Sequence, residues 1–373
     1  MILTIISHTP HYKMDNETVG YGPTITEINH LTDLFTKIYH IAPYYDTRPP
    51  QSSMCYESKK IIYIPIAPSG GDGIIKKLMI IIKMFNHLIS IHRICKISDW
   101  VQFRAPTNLG LYVLPYLSII RKNKYWIKYA GNWNQKYPPL SYRFQKLWVN
   151  DIVKNCCITI NGNWPNQKKH LLSFENPCLS KNELFQSKKQ MVNKNYFGLL
   201  NICFVGSLNI EKGGGLILSA LKNIKDLTSI ENFYFVGDGP EKSKLEAQAK
   251  ILKNLPITFT GSISRKDLNL IYSKCQILIL PSKSEGFPKV VAESAAYGCV
   301  SIVSDVGGVK QYVTKNNGII LKDLTPDSIS SSLIRLMDNR TLLKKLAYNC
   351  AHLSRKFTYE RYNEHLKNKI IHI

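Results

Sequence analysis

Ser282-Lys-Ser-Glu-Gly-Phe-Pro-Lys-Val-Val-Ala-Glu-Ser-Ala-Ala-Tyr-Gly298 follows a short apolar run, Ile277–Leu280, after one intervening proline. The apolar run is typical of a buried strand, and the proline ends its hydrogen-bonding ladder. Pro288 has the φ angle that suits the first position of a helix, and Gly298 is a suitable helix stop. The order of these residues therefore predicts a strand, a tight loop and a helix.

The loop before this helix has the composition of an anion-binding site. Free N–H groups and the partial positive charge of a helix N-terminus favour a diphosphate. Gly286 lets the backbone approach a ligand closely. Glu285 lies in the loop and Glu293 lies within the helix, so two carboxylates flank the expected anion seat. This arrangement suits a polyhydroxylated ligand, with one carboxylate for sugar hydroxyls and the other for a ribose diol.

Strand-like and helix-like segments alternate on both sides of this stretch. Such alternation predicts a parallel sheet covered on both faces, with ligands at the carboxyl ends of its strands. The predicted strands are Leu199–Val205, Phe233–Val236, Ile257–Thr260, Ile277–Leu280, Val300–Val303 and Gly318–Leu321, and the predicted helices are Gly213–Leu227, Glu241–Lys253, Lys266–Lys274 and Pro288–Tyr297.

The first half of the chain predicts a second α/β domain. Residues 176–198 are polar and rich in lysine and asparagine, which favours a linker between the two. We therefore expect one domain over residues 1–185 and another over 186–357. The predicted elements of the first are strands at Met1–Ile6, Ile61–Ile64, Trp100–Arg104 and Tyr125–Tyr129, a glycine loop at Gly20–Pro23, and helices at Thr24–Thr36 and Ile74–Arg93.

Composition excludes several classes of protein. The 373 residues are 44% hydrophobic and 20% charged, which argues against disorder and allows two sizeable cores. No apolar run reaches 18 residues and the N-terminus has no basic leader, so we expect neither a membrane-spanning nor a secreted protein. The nine scattered cysteines have no C-x-x-C spacing and indicate neither a disulfide framework nor a zinc site. They favour a reducing cytoplasm.

The net charge of +23 is compatible with nucleic acid, an anionic membrane or phosphorylated substrates as partners. A general excess of lysine in the sequence would produce the same charge. No arginine cluster with aromatic residues occurs, which disfavours nucleic acid. The helix at Ile74–Arg93 has an apolar body with basic residues such as Lys76, Lys77 and Lys83. It could lie on an anionic bilayer or be a core helix with a solvated basic edge.

Glu285 and Glu293, set in Ser-Glu-Gly-Phe-Pro-x-Val-x-x-Glu, resemble the signature of retaining glycosyltransferases of GT-B fold, family 4. The resemblance covers roughly residues 200–320. It implies two Rossmann-like domains facing across a cleft, with a C-terminal helix in 358–373 that crosses back to the first domain. The other matching segments are Phe204–Gly213, Phe235–Pro240, Phe259–Gly261 and Ser304–Gly308.

The resemblance also implies roles for individual residues. Lys212 would pair with the donor diphosphate, Glu293 would hold the ribose hydroxyls, and Glu285 would be the catalytic residue at the transferred sugar. The backbone of Ile263 would contact the base. The rest of the implied donor site is the loop Gly286, Phe287 and Pro288.

Ser207 departs from the family pattern, because many members have a second basic residue at this position. Either another cation, Lys289 or Arg265, replaces it, or Ser207 only donates a hydrogen bond. Such a site needs no metal cofactor, because a lysine and a helix N-terminus can meet the charge of the leaving UDP or GDP. Retention would follow from front-face attack, in which the departing phosphate oxygen takes the acceptor proton.

The first domain offers fewer candidates for the acceptor side. Gly20 and Gly22 fit the family's N-terminal glycine loop, or a simple turn. His8 and His11 follow the first strand and could enter the cleft, although lone histidines are more often structural. Many members carry a histidine after a mid-domain strand; here Asn132 and Trp133 stand in the comparable stretch.

These features predict a glycosyltransferase of hexosyltransferase type (EC 2.4) that acts in bacterial surface polysaccharide biosynthesis, such as lipopolysaccharide or capsule. Its partners would be a nucleotide-sugar donor and a glycan or lipid-linked glycan acceptor. We expect it in the cytoplasm, associated with the inner face of the membrane. A non-catalytic GT-B nucleotide-binding subunit and a sugar-nucleotide epimerase are the alternatives.

Overall fold

The computed structural model describes residues 1–69, 74–119, 124–135, 137–153 and 155–372, with only the backbone of residues 74–79. Its contacts divide the chain into two compact units. Unit 1 contains Met1–Asn176 and the C-terminal residues from Glu360 onward, and unit 2 contains Pro177–Tyr359. The boundary therefore lies nine residues before the expected position of 185/186.

Unit 1 is built on a parallel sheet of seven described strands, in the order β10-β9-β8-β7-β1-β4-β6. Unit 1 also contains a small antiparallel sheet with the strand order β2-β3-β5. The strands are β1 (Ile2–Ile6), β2 (His11–Met14), β3 (Glu17–Tyr21), β4 (Lys37–Pro43), β5 (Ser53–Cys55), β6 (Ile61–Ile66), β7 (Trp100–Ala105), β8 (Lys124–Tyr129), β9 (Cys157–Asn161) and β10 (Leu171–Phe174). The α-helices are α1 (Gly22–Leu31), α2 (Ile74–Cys95), α3 (Gly110–Ile119) and α4 (Leu140–Leu147).

Unit 2 has a parallel sheet of six described strands, in the order β13-β12-β11-β14-β15-β16. The strands are β11 (Leu200–Val205), β12 (Ile230–Val236), β13 (Ile257–Gly261), β14 (Ile277–Leu280), β15 (Val300–Val303) and β16 (Gly318–Ile320). The α-helices are α5 (Lys181–Val192), α6 (Gly214–Lys222), α7 (Lys242–Ala249), α8 (Arg265–Lys274), α9 (Lys289–Ala296), α10 (Pro326–Asp338) and α11 (Arg340–Leu353).

The strand order of unit 2 determines which loops lie together. The chain runs outward from β11 to β13 on one side, then returns to β14 and continues on the other side. The order thus reverses between β11 and β14, and ligands of open parallel sheets bind at such a switch point. The buried strands pack against helices in one continuous core, as their apolar runs predict.

The last helix, α12 (Tyr359–Leu366), contributes to unit 1. Tyr362, Leu366 and Ile370 are buried in a core cluster with residues of β1, β4 and α1. A hydrogen bond from Asn363 Nδ2 to the carbonyl oxygen of His30, 2.7 Å long, attaches this segment to the end of α1.

Two local predictions need correction. The boundary between the units, after Asn176, falls at the start of the predicted linker 176–198. Most of this segment is nevertheless helical, because it contains α5, which starts with a capping box between Ser180 and Glu183. The glycine loop is also mostly regular structure: Gly20 lies in β3, and Gly22 begins α1, with Pro23 in its first turn. Gly20 packs closely on the ring of His11, where a side chain would collide with it.

The helix predicted at Ile74–Arg93 is present as α2, but the side chains of Lys76 and Lys77 lie outside the described residues. No helix in the described part of the chain is both long and apolar enough to span a membrane.

Candidate functional site

The loops after β11 and β14 touch each other at the switch point of unit 2. Gly213 has a left-handed φ of 77°, and a Cβ there would lie 2.5 Å from the carbonyl oxygen of Pro281. The backbone N–H of Lys283 donates to the carbonyl oxygen of Glu211 at 2.8 Å. Glycine is needed at 213 because a side chain would push the two loops apart.

This contact brings Lys212 and Glu285 together as an ion pair between their side chains. The Lys212 side chain is 27% exposed and that of Glu285 is 14% exposed, so solvent reaches both groups. Asn209 fixes the turn before Lys212, since its side-chain oxygen accepts from the Lys212 backbone N–H at 3.0 Å. The structure thus places two residues that are 73 positions apart side by side.

Gly307, in the loop after β15, packs against the backbone of the Glu285 loop. Its φ is 55°, and an added Cβ would collide with the carbonyl oxygens of Glu285 and Gly286. The neighbouring Gly308 N–H donates to the Gly286 carbonyl oxygen at 2.8 Å. These contacts explain why glycines follow β15.

Two helices present their N-termini beside these loops. Pro288 is the N-cap of α9 rather than its first residue, and α6 is preceded by Gly213 as N-cap. Neither N-cap makes a side-chain capping bond, so both helices keep N–H donors for a ligand. Phe287 is buried and stacks on Phe357 with centroids 4.4 Å apart, which anchors the start of α9.

Glu293 is buried on α9 and its carboxylate has two protein partners. Arg265 Nη1 lies 2.8 Å from one oxygen, and the Tyr272 hydroxyl donates to the other at 3.3 Å. Burial and then the Glu293 charge raise the pKa of Tyr272 well above its usual value, so its hydroxyl stays protonated. A carboxylate can accept about four hydrogen bonds, which leaves capacity for a further donor.

Arg265 is not available as a second phosphate-binding cation. It also pairs with Glu183 at 3.2 Å and donates to the Cys178 carbonyl oxygen at 2.9 Å. Burial alone would lower its pKa, but the carboxylates of Glu293 and Glu183 raise it well above the usual value. The sequence pattern did not indicate that Arg265 joins Glu293 to Glu183. The local signal that was present, the capping box at Glu183, predicts a helix start and not this ion pair.

The remaining donor-side candidates of unit 2 lie near these loops. Ser207 is exposed after β11, and its hydroxyl oxygen accepts from Asn209 Nδ2 at 3.4 Å. Ile263 is partly buried against the core, directly after β13. Among the described residues, no group of three or more His, Cys, Asp and Glu side chains could hold a metal ion.

In unit 1, the two histidine candidates differ in their exposure to solvent. His8 is exposed after β1. His11 is fully buried, stacks on Tyr63 and shares the Tyr56 hydroxyl with His40 at 2.7 and 2.6 Å. Burial lowers the pKa of His11 to about 4, so it is neutral at pH 7. This buried position corrects the expectation that His11 could enter a cleft.

A second buried cluster of unit 1 has no sequence motif. Glu27 on α1 is fully buried and accepts from Arg104 Nη1 and Nη2 at 3.0 and 3.3 Å. It also accepts from Lys128 Nζ at 2.5 Å, and this ammonium lies 4.7 Å from the ring centroid of Tyr362. The cluster connects α1, β7, β8 and the C-terminal helix.

Asn132 and Trp133 lie in the loop after β8. The Asn132 side-chain oxygen accepts from the Asn134 backbone N–H at 3.0 Å. Trp133 is 8% exposed and packs edge-to-face on Tyr129, with centroids 5.1 Å apart. Trp133 also lines a cavity of unit 1.

Comparison with known proteins relates both the sequence and the fold to glycosyltransferases. Residues 186–352 match the model of the family Glycosyl transferases group 1. Over 243 residues the chain is 32% identical to the uncharacterized glycosyltransferase MJ1178 of Methanocaldococcus jannaschii. This alignment covers 64% of the chain and 60% of that relative, so the chain spans about three fifths of the relative's length.

Solved structures match over the whole chain. HepE of Anabaena in complex with UDP-glucose has a TM-score of 0.70 at 12% identity, with full coverage of both chains. WaaG, a glycosyltransferase involved in lipopolysaccharide biosynthesis, has a TM-score of 0.67 at 12% identity and covers 98% of this chain and 100% of its own. At these identities the likeness concerns the fold. It confirms the predicted α/β class with two parallel sheets, as in GT-B glycosyltransferases.

Proposed function

We propose that this chain, whose residues 186–352 match the Glycosyl transferases group 1 model, transfers a sugar from a nucleoside-diphosphate sugar to a hydroxyl group of a glycan acceptor. The observation that carries the proposal is the Lys212–Glu285 pair at the switch point of unit 2. A cation for phosphate and a carboxylate for sugar hydroxyls lie together there, beside two helix N-termini without side-chain caps.

In this proposal the diphosphate binds at the start of α6 and α9. Lys212 exchanges its Glu285 partner for a phosphate oxygen, and N–H groups around Gly213 and Gly286 donate to the remaining oxygens. Helix N-termini and a lysine together stabilise the negative charge that develops on the leaving group. A divalent metal ion is therefore not required.

The sugar and nucleoside would be held by the remaining residues of the site. Glu285 accepts hydrogen bonds from hydroxyls of the transferred sugar, with Phe287 holding its loop in place. Glu293, oriented by Arg265 and Tyr272, accepts from the ribose hydroxyls. The backbone beside Ile263 contacts the base.

Transfer with retention needs no strong protein base at this site. The bond between the sugar C1 and the phosphate oxygen breaks, the acceptor hydroxyl oxygen bonds to C1 on the same face, and its proton moves to the departing phosphate oxygen. The support for this step is the Glu285-x7-Glu293 pattern and its resemblance to retaining enzymes. The donor is a UDP- or GDP-hexose, and HepE with bound UDP-glucose favours UDP.

Nucleotide binding tests the proposal directly. A thermal-shift titration of the purified chain with UDP, GDP, ADP and CMP should show stabilisation by one nucleoside diphosphate, by roughly 2.7 kcal/mol at 100 times its Kd. Lys212→Met should abolish this shift, because the phosphate loses its cation. Lys283→Met is the matched control, since Lys283 lies on the adjoining loop in an exposed pair with Glu211.

The titration tests the site, and a turnover assay tests catalysis. If no nucleotide stabilises the wild type, the proposed donor site is refuted. Stabilisation that survives Lys212→Met would show that the nucleotide binds elsewhere. If the nucleotide binds but the protein does not release it from the corresponding nucleotide sugar, a non-catalytic subunit is favoured.

We place the protein at the inner face of the cell membrane, in the synthesis of a surface polysaccharide with a lipid-linked acceptor. WaaG, which shares the fold, is involved in lipopolysaccharide biosynthesis. All nine cysteines are free thiols, which suits a reducing compartment. The face of α2 formed by Ile81, Ile82, Phe85 and Ile89 is 50–65% exposed, an unfavourable arrangement in water.

The charge of this helix complements an anionic lipid surface. The sequence of α2 contains Lys76, Lys77, Lys83 and Arg93 and no Asp or Glu. Apolar side chains that enter the acyl boundary and basic residues that contact anionic headgroups together favour interfacial binding.

We expect the protein to sediment with phosphatidylglycerol vesicles and less with phosphatidylcholine vesicles. Phe85→Ser with Ile89→Ser should reduce vesicle binding about tenfold, because the buried apolar area is lost. The control is Ile251→Ser, which removes an equally exposed side chain of unit 2. Equal binding of the double variant and the wild type would contradict membrane docking through α2.

A further inference from the structure

Unit 1 contains a cavity of about 930 Å³ at the carboxyl ends of β8 and β9. It lies between the loop that follows β8, helix α4 and the loop that follows β9. Its volume is within the range of cavities that bind small ligands. None of the donor-site residues proposed above lines it.

Aromatic rings form part of the cavity wall and are held in place. Trp133 packs on Tyr129 at the end of β8. Trp164 donates from its indole Nε1 to the carbonyl oxygen of Asn161 at 2.9 Å, at the end of β9. Gln167 accepts from the Trp164 backbone N–H at 3.1 Å. Both indoles are thus attached to strand ends, which reduces the entropy lost when a ligand binds.

The polar part of the wall is cationic. Lys146 Nζ lies 5.2 Å from the ring centroid of Trp133, and Arg143 lines the cavity one turn earlier on α4. Burial lowers the pKa of Lys146. Neither residue makes a salt bridge within the described part of the chain, and the acidic residue after α4, Asp151, pairs with Lys168 at 2.6 Å.

The described lining residues include no Asp or Glu, whereas amide side chains such as Asn134 and Gln135 are present. A ligand of this cavity must therefore carry negative charge to pair with Arg143 and Lys146. It must also present a flat C–H surface to an indole ring and form hydrogen bonds with amide side chains. Inorganic phosphate lacks the flat surface, and a neutral sugar lacks the charge. A saccharide with a phosphate or carboxylate group has all three properties.

We propose that this cavity binds a negatively charged saccharide, with the partly exposed Trp164 against the sugar and with Lys146 and Arg143 on its anionic group. This cavity proposal rests on the proposed function in one respect, namely that the saccharide is identified as part of the acceptor. Binding itself is independent of the donor site, because the two sets of residues belong to different units.

The test uses tryptophan fluorescence of the full chain. All five tryptophans, Trp100, Trp126, Trp133, Trp148 and Trp164, belong to unit 1, so the signal reports on this unit. The probes are glucose 6-phosphate, glucuronic acid, glucose and inorganic phosphate, each titrated first alone and then with saturating UDP added. A short single-stranded oligonucleotide serves as a competitor.

We expect glucose 6-phosphate or glucuronic acid to bind at least about tenfold more tightly than glucose, since a charge-assisted bond contributes roughly that factor. Which of the two binds identifies the anionic group. Lys146→Gln should weaken this binding about tenfold while leaving binding of glucose unchanged. The matched control is Lys124→Gln, because Lys124 lies over another tryptophan, Trp100, at the amino ends of β8 and β7 and away from the cavity.

Several results would overturn this proposal. They are equal binding of glucose and the charged sugars, equal losses in both lysine variants, release of the probe by UDP, and tighter binding of the oligonucleotide. A failure of this test with intact nucleotide binding refutes the cavity proposal alone. Charged-sugar binding without nucleotide binding refutes the transferase proposal and leaves a saccharide-binding unit.

Discussion

Replacing Glu285 with glutamine should lower the turnover number by about 100-fold or more, with a much smaller effect on nucleotide affinity. Glutamine keeps the size of the side chain but removes the negative charge that pairs with Lys212. In the proposed donor site this charge would also orient the sugar hydroxyls. Loss of one preorganised electrostatic contact to a transition state typically costs two to three orders of magnitude, or about 3 kcal/mol. The measurement is the release of nucleoside diphosphate from a hexose ester of the nucleotide identified by thermal shift.

Glu211→Gln is the control for this variant. Glu211 lies on the same pair of loops, but its side chain is 65% exposed and pairs with the exposed Lys283 at 3.5 Å. We expect its turnover to stay within about twofold of the wild type, as for surface ion pairs in general. Wild-type turnover in Glu285→Gln would show that the residue has no role in transfer.

Glu27→Gln should destabilise unit 1 by about 3–5 kcal/mol, because a neutral amide leaves two buried cations without their carboxylate. Arg104 and Lys128 both donate to Glu27, whose side chain is fully buried. The free energy of unfolding can be measured by urea titration with tryptophan fluorescence, which follows unit 1 because its five tryptophans are there.

Asp151→Ala provides the comparison for the effect of burial. Asp151 and Lys168 are both about half exposed although they are 2.6 Å apart, so we expect a loss below about 1 kcal/mol. If Glu27→Gln unfolds at the same urea concentration as the wild type, the buried cluster does not stabilise unit 1. A donor that still binds the variant would show that unit 2 folds independently of this defect.

Local sequence patterns were sufficient to predict the strands of the unit 2 sheet. Runs such as Ile277–Leu280 are apolar throughout because both faces of a parallel strand are covered, and they became strands at the expected positions. Gly298 has a left-handed φ of 71° after α9, as a helix stop requires. These features depend on neighbours in the sequence and can be inferred without the fold.

Unit 1 was harder to predict because its sheet relies on contacts that are distant in sequence. β1 pairs with β4 and β7, and its register with β7 joins residues almost 100 positions apart. The β2-β3-β5 sheet includes Gly20, which the sequence alone suggested was a loop residue. Two glycines just before a proline are typical of a turn, and only the packing of Gly20 against His11 shows why this residue lies in a strand.

By itself, the sequence determined the class of the fold, the segments that form the second sheet, and the residues proposed to bind the donor. Tertiary structure alone decided which of these groups meet: it pairs Lys212 with Glu285, commits Arg265 to Glu293, and buries His11 and Glu27. The physical reason is the range of the interactions. Periodicity and helix caps are set by residues within a few positions, whereas ion pairs and burial depend on how strands far apart in the chain are ordered in a sheet.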